Sequence, residues 1–284
     1  MKNFELLLFT CNEDMAHDAV SGGVDGIIID WEFRGKSERQ KGADTQINRD
    51  TLENLNRVRA ATDGRIIVRI NGFGPTTADE INLAIDAGAQ EIMLPMVTTI
   101  EEVDKTFDLV RDRAQVGILI ETLRAVEIAD RLGRLPLRRV YVGLNDLAIQ
   151  RRSSNIFTAL TDGVVETALK NIARPIGFGG LTLPDLGSPL PCRLLIAEMA
   201  RMRTHFSFLR RSFLSDVAGR SLSDAVFRIK TAMTAARNRT GAEIAVDRSD
   251  LITAVRTLNG ERPPRHRIIV SSASGDTLQG RMAH

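Results

Sequence analysis

The stretch Ala19-Val20-Ser21-Gly22-Gly23-Val24-Asp25-Gly26-Ile27-Ile28-Ile29 has the same grammar as Ala84-Ile85-Asp86-Ala87-Gly88-Ala89-Gln90-Glu91-Ile92-Met93-Leu94. In each, a helix end runs into a glycine able to take the left-handed cap, and a short apolar run follows. That is the turn from helix to strand in a repeated strand–helix unit. Working outward, apolar runs of the same kind stand at 4–10, 26–30, 65–70, 91–95, 115–120 and 139–142, with weaker ones at 175–178 and 206–213. Runs this short and rich in Ile, Val and Leu read as strands buried on both faces, as in a parallel sheet.

The segments between them carry helix-start signals. Asp50-Thr51-Leu52-Glu53, Thr77-Ala78-Asp79-Glu80 and Thr99-Ile100-Glu101-Glu102 each match a capping box. After Glu102, Val103, Phe107 and Val110 fall on one helical face. Eight strands alternating with helices over about 210 residues favour a closed (β/α)8 barrel in the α/β class. The competing architecture is a doubly wound open sheet. It lacks its Gly-rich turn here, because Phe9-Thr10-Cys11-Asn12-Glu13 follows the first strand. The expected organisation is one barrel domain over 1–240, including an extra helix at 221–239, then a peripheral or flexible tail over 241–284. The extra helix starts at Ser221-Leu222-Ser223-Asp224 and carries Val226, Ile229 and Met233 on one face.

Composition excludes several classes. The chain has 284 residues, 43% hydrophobic and 26% charged, enough for one large core. Lys and Arg total 38 against 36 Asp and Glu, a formal charge of +2 that marks neither a nucleic-acid nor a membrane-surface protein. The basic group Arg262, Arg265, His266 and Arg267 reads as a solvated run. No apolar run approaches the roughly 20 residues of a membrane span. Glu5 interrupts the N-terminal apolar run and argues against an export signal. Cys11 and Cys192 have no metal-type spacing, as expected of a reduced cytoplasmic chain.

In such a barrel the active site lies at the C-terminal strand ends. The polar residues there are Asp30 and Glu32 after strand two, Arg69 and Asn71 after strand three, Glu121 after strand five, and Asp146 after strand six; Met96 follows strand four. Each carboxylate alone reads equally well as a cap for the next helix, Asp146 above all. Taken together, Arg69, Glu121 and Asp146 form a set suited to a hard cation and an anionic ligand. Mg2+ takes a few carboxylates with water or substrate oxygens, and Arg grips a carboxylate with two parallel bonds.

The runs Asp25-Gly26-Ile27-Ile28-Ile29-Asp30-Trp31-Glu32, Val68-Arg69-Ile70-Asn71, Ile92-Met93-Leu94-Pro95-Met96-Val97, Gly117-Ile118-Leu119-Ile120-Glu121-Thr122 and Gly143-Leu144-Asn145-Asp146-Leu147-Ala148 carry a resemblance. Over roughly residues 4–215 the chain resembles the HpcH/HpaI aldolase and citrate lyase β-subunit family, TIM barrels of the phosphoenolpyruvate/pyruvate-binding kind. The resemblance implies Glu121 and Asp146 as ligands of Mg2+, or Mn2+ in its place. It implies Arg69 on the substrate's carboxylate or carbonyl oxygen, and Asp30 and Glu32 as the pair ordering metal-bound waters. It also implies a homo-oligomer, a trimer or hexamer.

Two departures stand out. Phe33 follows Glu32 where the aldolase pattern has a histidine, and Met96 stands where the citrate lyase β pattern has a lysine. The long loop after strand two carries Lys36, Glu38, Arg39 and Lys41, open to either a substrate-binding or a solvated role. The glycine run Gly177-Phe178-Gly179-Gly180-Leu181-Thr182 is expected after strand seven. There Gly179 and Gly180 either hold an anion on backbone N–H groups or only permit tight packing. One of Arg210 and Arg211 is a candidate to turn inward. None of His17, His205, His266 and His284 has metal-ligand spacing, and His17 fits a surface helix.

The expected function is a Mg2+-dependent carbon–carbon lyase or aldolase acting on a small carboxylate, a 2-oxo acid or an acyl-CoA, with Asp30, Glu32 and Arg69 catalytic. Arg69, Asn71, Met96, Gly179 and Gly180 are the expected substrate contacts. The alternatives are a phosphoenolpyruvate mutase or hydrolase, and a degenerate barrel that binds a metabolite without turnover.

Overall fold

The computed structural model describes residues 3–35 and 50–261. The loop residues Lys36, Glu38, Arg39 and Lys41 and the basic tail residues from Arg262 to His284 lie outside the described residues.

Eight parallel strands close into a barrel in sequence order, with β1 (Glu5–Phe9) paired to β2 (Gly26–Asp30) and to β8 (Phe206–Leu209). Between them run β3 (Ile66–Arg69), β4 (Glu91–Leu94), β5 (Gln115–Ile120), β6 (Arg139–Val142) and β7 (Ile176–Leu181). The outer layer is α1 (Glu13–Ser21), α2 (Leu52–Ala61), α3 (Thr77–Asp86), α4 (Ile100–Val110), α5 (Leu123–Glu127), α6 (Ala129–Leu132), α7 (Leu144–Gln150), α8 (Thr158–Thr161), α9 (Val164–Leu169), α10 (Cys192–Arg201), α11 (Phe213–Asp216), α12 (Leu222–Arg237) and α13 (Gly241–Leu258). Among the described residues no helix is long and apolar enough to cross a membrane. Cys11 and Cys192 are free thiols.

The repeated helix–glycine–strand turns take the conformation their glycines allow: Gly23 and Gly88 sit at φ +94° and +92°, where a side chain would be strained. The caps match in part. Thr99 and Glu102 form the expected box before α4. Before α2 the box falls one residue later than expected, between Thr51 and Asn54. Before α3 no side chain caps the helix; Glu80 instead takes the Asn71 backbone N–H and the Thr76 hydroxyl.

Side chains alternate along a strand, so every second residue faces the barrel interior. Leu7, Ile28, Ile67, Met93, Leu119, Tyr141, Phe206 and Phe208 form an apolar cluster of their own inside the barrel, apart from the larger core between strands and helices. Two residues before these, at the N-terminal mouth, the same inward positions hold Glu5, Gly26, Arg65, Glu91, Gly117 and Arg139. Two residues after, at the C-terminal mouth, they hold Phe9, Asp30, Arg69, Pro95, Glu121 and Gly143. The barrel is therefore filled in three layers, apolar in the middle and charged at both ends.

The glycine run lies within β7 rather than after it. Gly179, at φ +62°, marks a register shift against β8, and its carbonyl accepts from the Tyr141 hydroxyl at 2.6 Å and from Ser207 Oγ at 3.0 Å. A Cβ on Gly177 would lie 2.5 Å from the Phe206 carbonyl, and one on Gly180 would lie 2.9 Å from Arg210 Cβ. The glycines make room for the aromatic layer, and Gly179 turns a carbonyl, not an N–H, to Tyr141.

The expectation of a tail from 241 gives way to a helix. Thr240 and Glu243 form a capping box at the start of α13, which buries Leu251 and Val255. Arg248 on α13 donates to Glu198 Oε1 at 2.7 Å and to the Leu160 carbonyl at 2.8 Å, and Arg239 pairs with Asp247. Polar bonds fasten much of this helix, so its apolar pattern is faint. On α12 the expected face, Val226, Ile229 and Met233, is buried, while Phe227 is 67% exposed.

Candidate active site

The C-terminal layer brings Asp30, Arg69 and Glu121 to one mouth, and the chain just beyond the strands adds Glu32 and Asp146. Register explains the first contact: Asp30 and Arg69 are paired positions on β2 and β3. Arg69 Nε donates to Asp30 Oδ1 at 2.8 Å and Nη2 to Oδ2 at 2.7 Å, a bidentate pair. Its Nη1 lies 3.4 Å from Glu32 Oε2, and its guanidinium carbon stands 4.9 Å from the centre of the Phe9 ring. Burial works against the charge of Arg69, but Asp30 and Glu32 outweigh it and hold the guanidinium protonated, with its pKa raised.

Glu121 follows β5 directly. Its Oε1 accepts the Met96 N–H at 2.9 Å, a bond Met96 reaches by adopting a left-handed backbone at φ 54°. A Cβ on Gly143 would overlap Glu121 Oε2 and lie 2.9 Å from Glu121 Cβ. The carboxylate is therefore held from below β6 by the absence of a side chain. Thr122 ties the same corner down, donating to the Val97 carbonyl at 2.7 Å and capping α5. Burial first, then the negative charges of Glu32 and Asp146, push the Glu121 carboxyl up to about 8, against the opposing pull of Arg69.

Asp146 lies in the first turn of α7, buried, where the positive end of the helix favours its charge. Gly143 makes no side-chain cap there, and Asp146 is close enough to Glu121 to raise its pKa. Asp146 is thus a first-turn helix residue whose charge is felt at Glu121.

The other expected contacts are distributed differently. Asn71 accepts the N–H groups of Phe33 at 3.0 Å and Arg34 at 2.9 Å, and its Nδ2 donates to Glu80. Its side chain is thus occupied in bracing the chain after β2. Met96 serves Glu121 through its backbone. Gly179 and Gly180 sit in β7 as described. Arg210 turns to the Ser188 carbonyl at 2.6 Å, Arg211 is exposed, and His17 lies on the surface against the Ala61 carbonyl.

Three residues of the site were not expected. Asp50 Oδ2 accepts the Asp30 N–H at 2.8 Å, and burial raises its carboxyl pKa. Tyr141 stacks on Phe208 at 3.8 Å beneath Arg69 and Glu121; burial raises its pKa, so it stays a neutral donor to Gly179. Gly143 is the third. The stride of two from Leu7, Ile28, Ile67, Leu119 and Tyr141 is the signal that finds Gly143 from sequence.

The donor set suits a divalent cation. Glu121, Glu32 and Asp146 crowd one another in a buried mouth, and a cation beside Glu121 and Asp146 offsets that repulsion. Among the described residues, no three His, Cys, Asp or Glu side chains are already gathered around one metal position. The fit is therefore to an ion that keeps water or substrate oxygens in its shell.

The family profile described as HpcH/HpaI aldolase/citrate lyase matches residues 5–157. Among solved structures the chain is similar to citrate synthase SbnG, at 16% identity and a TM-score of 0.57, over 80% of this chain and 94% of that one. It is also similar to an HpcH/HpaI aldolase from Desulfitobacterium hafniense DCB-2, at 16% identity and 0.55, over 84% and 95%. A third is RipC from Yersinia pestis, at 14% identity and 0.50, over 85% and 98%. At these identities the likeness speaks to the fold alone. No curated protein sequence matches the chain.

Proposed function

This chain belongs to the HpcH/HpaI aldolase/citrate lyase family, and from that premise we propose that it makes or breaks a carbon–carbon bond beside an enolate of a 2-oxo acid or acyl-CoA. The observation that carries the reading is the placing of Glu32 and Asp146 beside Glu121, with the guanidinium of Arg69 next to Glu32. In this reading Glu121 and Asp146 hold a divalent cation, Mg2+ or Mn2+. When bound, such a cation supplies stabilisation of negative charge developing on a substrate oxygen.

The chain's own residues do the rest. Arg69 holds the substrate's carboxylate or carbonyl oxygen, kept charged and aimed by its bidentate pair with Asp30. Asp50 fixes Asp30 through its backbone N–H. Glu32, close to Arg69 through one oxygen, orders water and passes a proton between substrate and solvent. Phe33, 48% exposed, supplies no titrating group in the place of the missing histidine. The aromatic floor of Phe9, Tyr141 and Phe208 keeps water from reaching the site from below. The same reading expects a homo-oligomer, a trimer or hexamer, which sedimentation velocity checks.

The test is a calorimetric titration of Mg2+ together with pyruvate, oxaloacetate, phosphoenolpyruvate or acetyl-CoA into the wild type and Glu121→Ala. Metal-dependent binding of one of these ligands, lost in the variant, supports the site and names the substrate class. Binding of phosphoenolpyruvate alone, turned over without an acceptor, moves the reading to a mutase or hydrolase. If neither metal nor any of the four ligands binds, the lyase reading fails.

A further inference from the structure

The N-terminal mouth of the barrel holds a second charged cluster that the reaction does not use. Glu5, Glu91 and Arg139 are the inward positions there, and Arg65 and Arg138 reach the same place from just before β3 and β6. Part of the cluster is closed on itself. Arg139, fully buried, donates Nε and Nη2 to the two oxygens of Glu91 at 2.7 and 3.0 Å, and Nη1 to Glu5 Oε2 at 3.0 Å. It also lies 4.8 Å above the Phe206 ring. Arg138 takes the other Glu5 oxygen at 2.8 Å. Those bonds occupy both carboxylates, and they make a structural plug.

Arg65 is left over. Its Nη1 lies 4.0 Å from Glu91 Oε2, outside hydrogen-bond range, and among the described residues this buried nitrogen has no hydrogen-bond partner. Three guanidiniums thus face two carboxylates. Burial and the neighbouring charges of Arg138 and Arg139 pull the pKa of Arg65 down, as expected for a cation crowded by cations. A plug needing only stability would not carry a third arginine, since a buried donor without a partner costs about 1–3 kcal/mol.

The Arg65 side chain as a whole is 33% exposed and borders open space. A cavity of about 420 Å³ at this mouth is lined by Arg65, Arg138, Gln115, Asn3 and His205, with Glu5 at its side. His205 Nδ1 accepts the Ile176 N–H at 3.3 Å, which holds the ring at the edge of this cavity. Two guanidiniums, two carboxamides and an imidazole around this hollow form a receptor for a small oxyanion.

We propose that the N-terminal mouth of the barrel binds a small oxyanion, a phosphate or a carboxylate, between Arg65 and Arg138, on the face opposite the reaction site. The site takes no residue from the reaction site around Glu121. The ligand neutralises the third arginine and closes the charge balance of the plug.

The experiment is a titration at constant ionic strength with inorganic phosphate and, separately, with malonate. Saturable heat and a saturable rise in melting temperature, absent with sodium chloride, are expected for at least one of them, and the stronger one names the acid group. Arg65→Gln is expected to weaken that binding at least tenfold while melting no lower than wild type, because it removes a repelled charge. Should it fail to fold, Arg138→Gln serves the same comparison. Glu121→Gln is expected to bind the anion unchanged. Equal affinity in wild type and the Arg65 variant overturns the proposal, as does equal loss in Glu121→Gln or a response that chloride reproduces.

Discussion

The two mouths of this barrel are built by the same stride of two residues and carry opposite imbalances. At the C-terminal mouth, Asp30, Glu32 and Glu121 gather around Arg69, and Asp146 acts on Glu121. At the N-terminal mouth, Arg65, Arg138 and Arg139 share Glu5 and Glu91. Each has one well-made bidentate pair, Arg69 with Asp30 above and Arg139 with Glu91 below. Each leans on a glycine: Gly143 leaves room for Glu121, and a Cβ on Gly117 would come within 2.8 Å of Glu91 Oε1. A paired charge explains itself as structure. The charge left after pairing is what the two proposals rest on, a cation above and an anion below.

The comparison breaks most readily at the paired charges. Glu91→Ala leaves Arg139 buried without its main partner and is expected to cost about 3–5 kcal/mol, read as a drop in urea midpoint. The double change Glu91→Leu with Arg139→Met should recover most of that loss. A Glu91→Ala cost under about 1 kcal/mol would show that the lower pair is not a structural plug.

The upper surplus is sharpened by pH. The Glu121 carboxyl titrates at about 8 in the folded chain against 4.5 for an ordinary glutamate. The unfolded chain thus gives up this proton first, and metal-free stability falls as pH rises from 4.5 towards 8. Glu121→Gln removes that loss and should be more stable than wild type at pH 9 by on the order of 2–4 kcal/mol, with no gain at pH 4. Parallel melting curves in chelator would contradict the crowding.

Gly143→Ala pushes a methyl into the Glu121 carboxylate. It is expected to cost about 1–3 kcal/mol in thermal unfolding, as overpacking does, and to weaken metal binding by more than its effect on stability. The smallest effect belongs to Glu5, where burial would raise the carboxyl pKa but Arg139 and Arg138 override it and lower it. A lowered folded pKa stabilises at neutral pH and loses that contribution as pH falls below 4.5. Glu5→Gln should therefore cost about 0.5–1 kcal/mol at pH 7 and nothing at pH 2.

Much of this was legible in the sequence because barrel strands are short and regular. A glycine after a helix followed by a buried run locates β2 and β4, and the polar residue at the end of a buried run lands at the mouth, which finds Asp30, Arg69 and Glu121. Roles past the strand ends were harder to read. Asn71 was expected on the substrate, but its amide fits the loop after β2, a contact across 38 residues. The run at Gly177 was placed after its strand because glycine usually ends one, whereas here the aromatic layer demands it inside. Helix α13 was read as tail because arginine bonds to Glu198 and Leu160 replace part of an apolar stripe, although Thr240 and Glu243 carried the start signal. The lower plug was invisible because Glu91 and Arg139 meet across 48 residues.

Gln115, which lines the lower cavity, and Glu121, just past the end of the same strand, stand six residues apart, so the lower cavity and the upper carboxylate are separated by about 20 Å of chain. Through an effective dielectric of about 20, one charge at that distance acts on another with about 0.8 kcal/mol, roughly half a pH unit of titration. An anion arriving at the lower mouth therefore makes the upper one more electronegative. It holds the Glu121 proton more tightly and attracts a divalent cation more strongly, with no atom of the barrel needing to move.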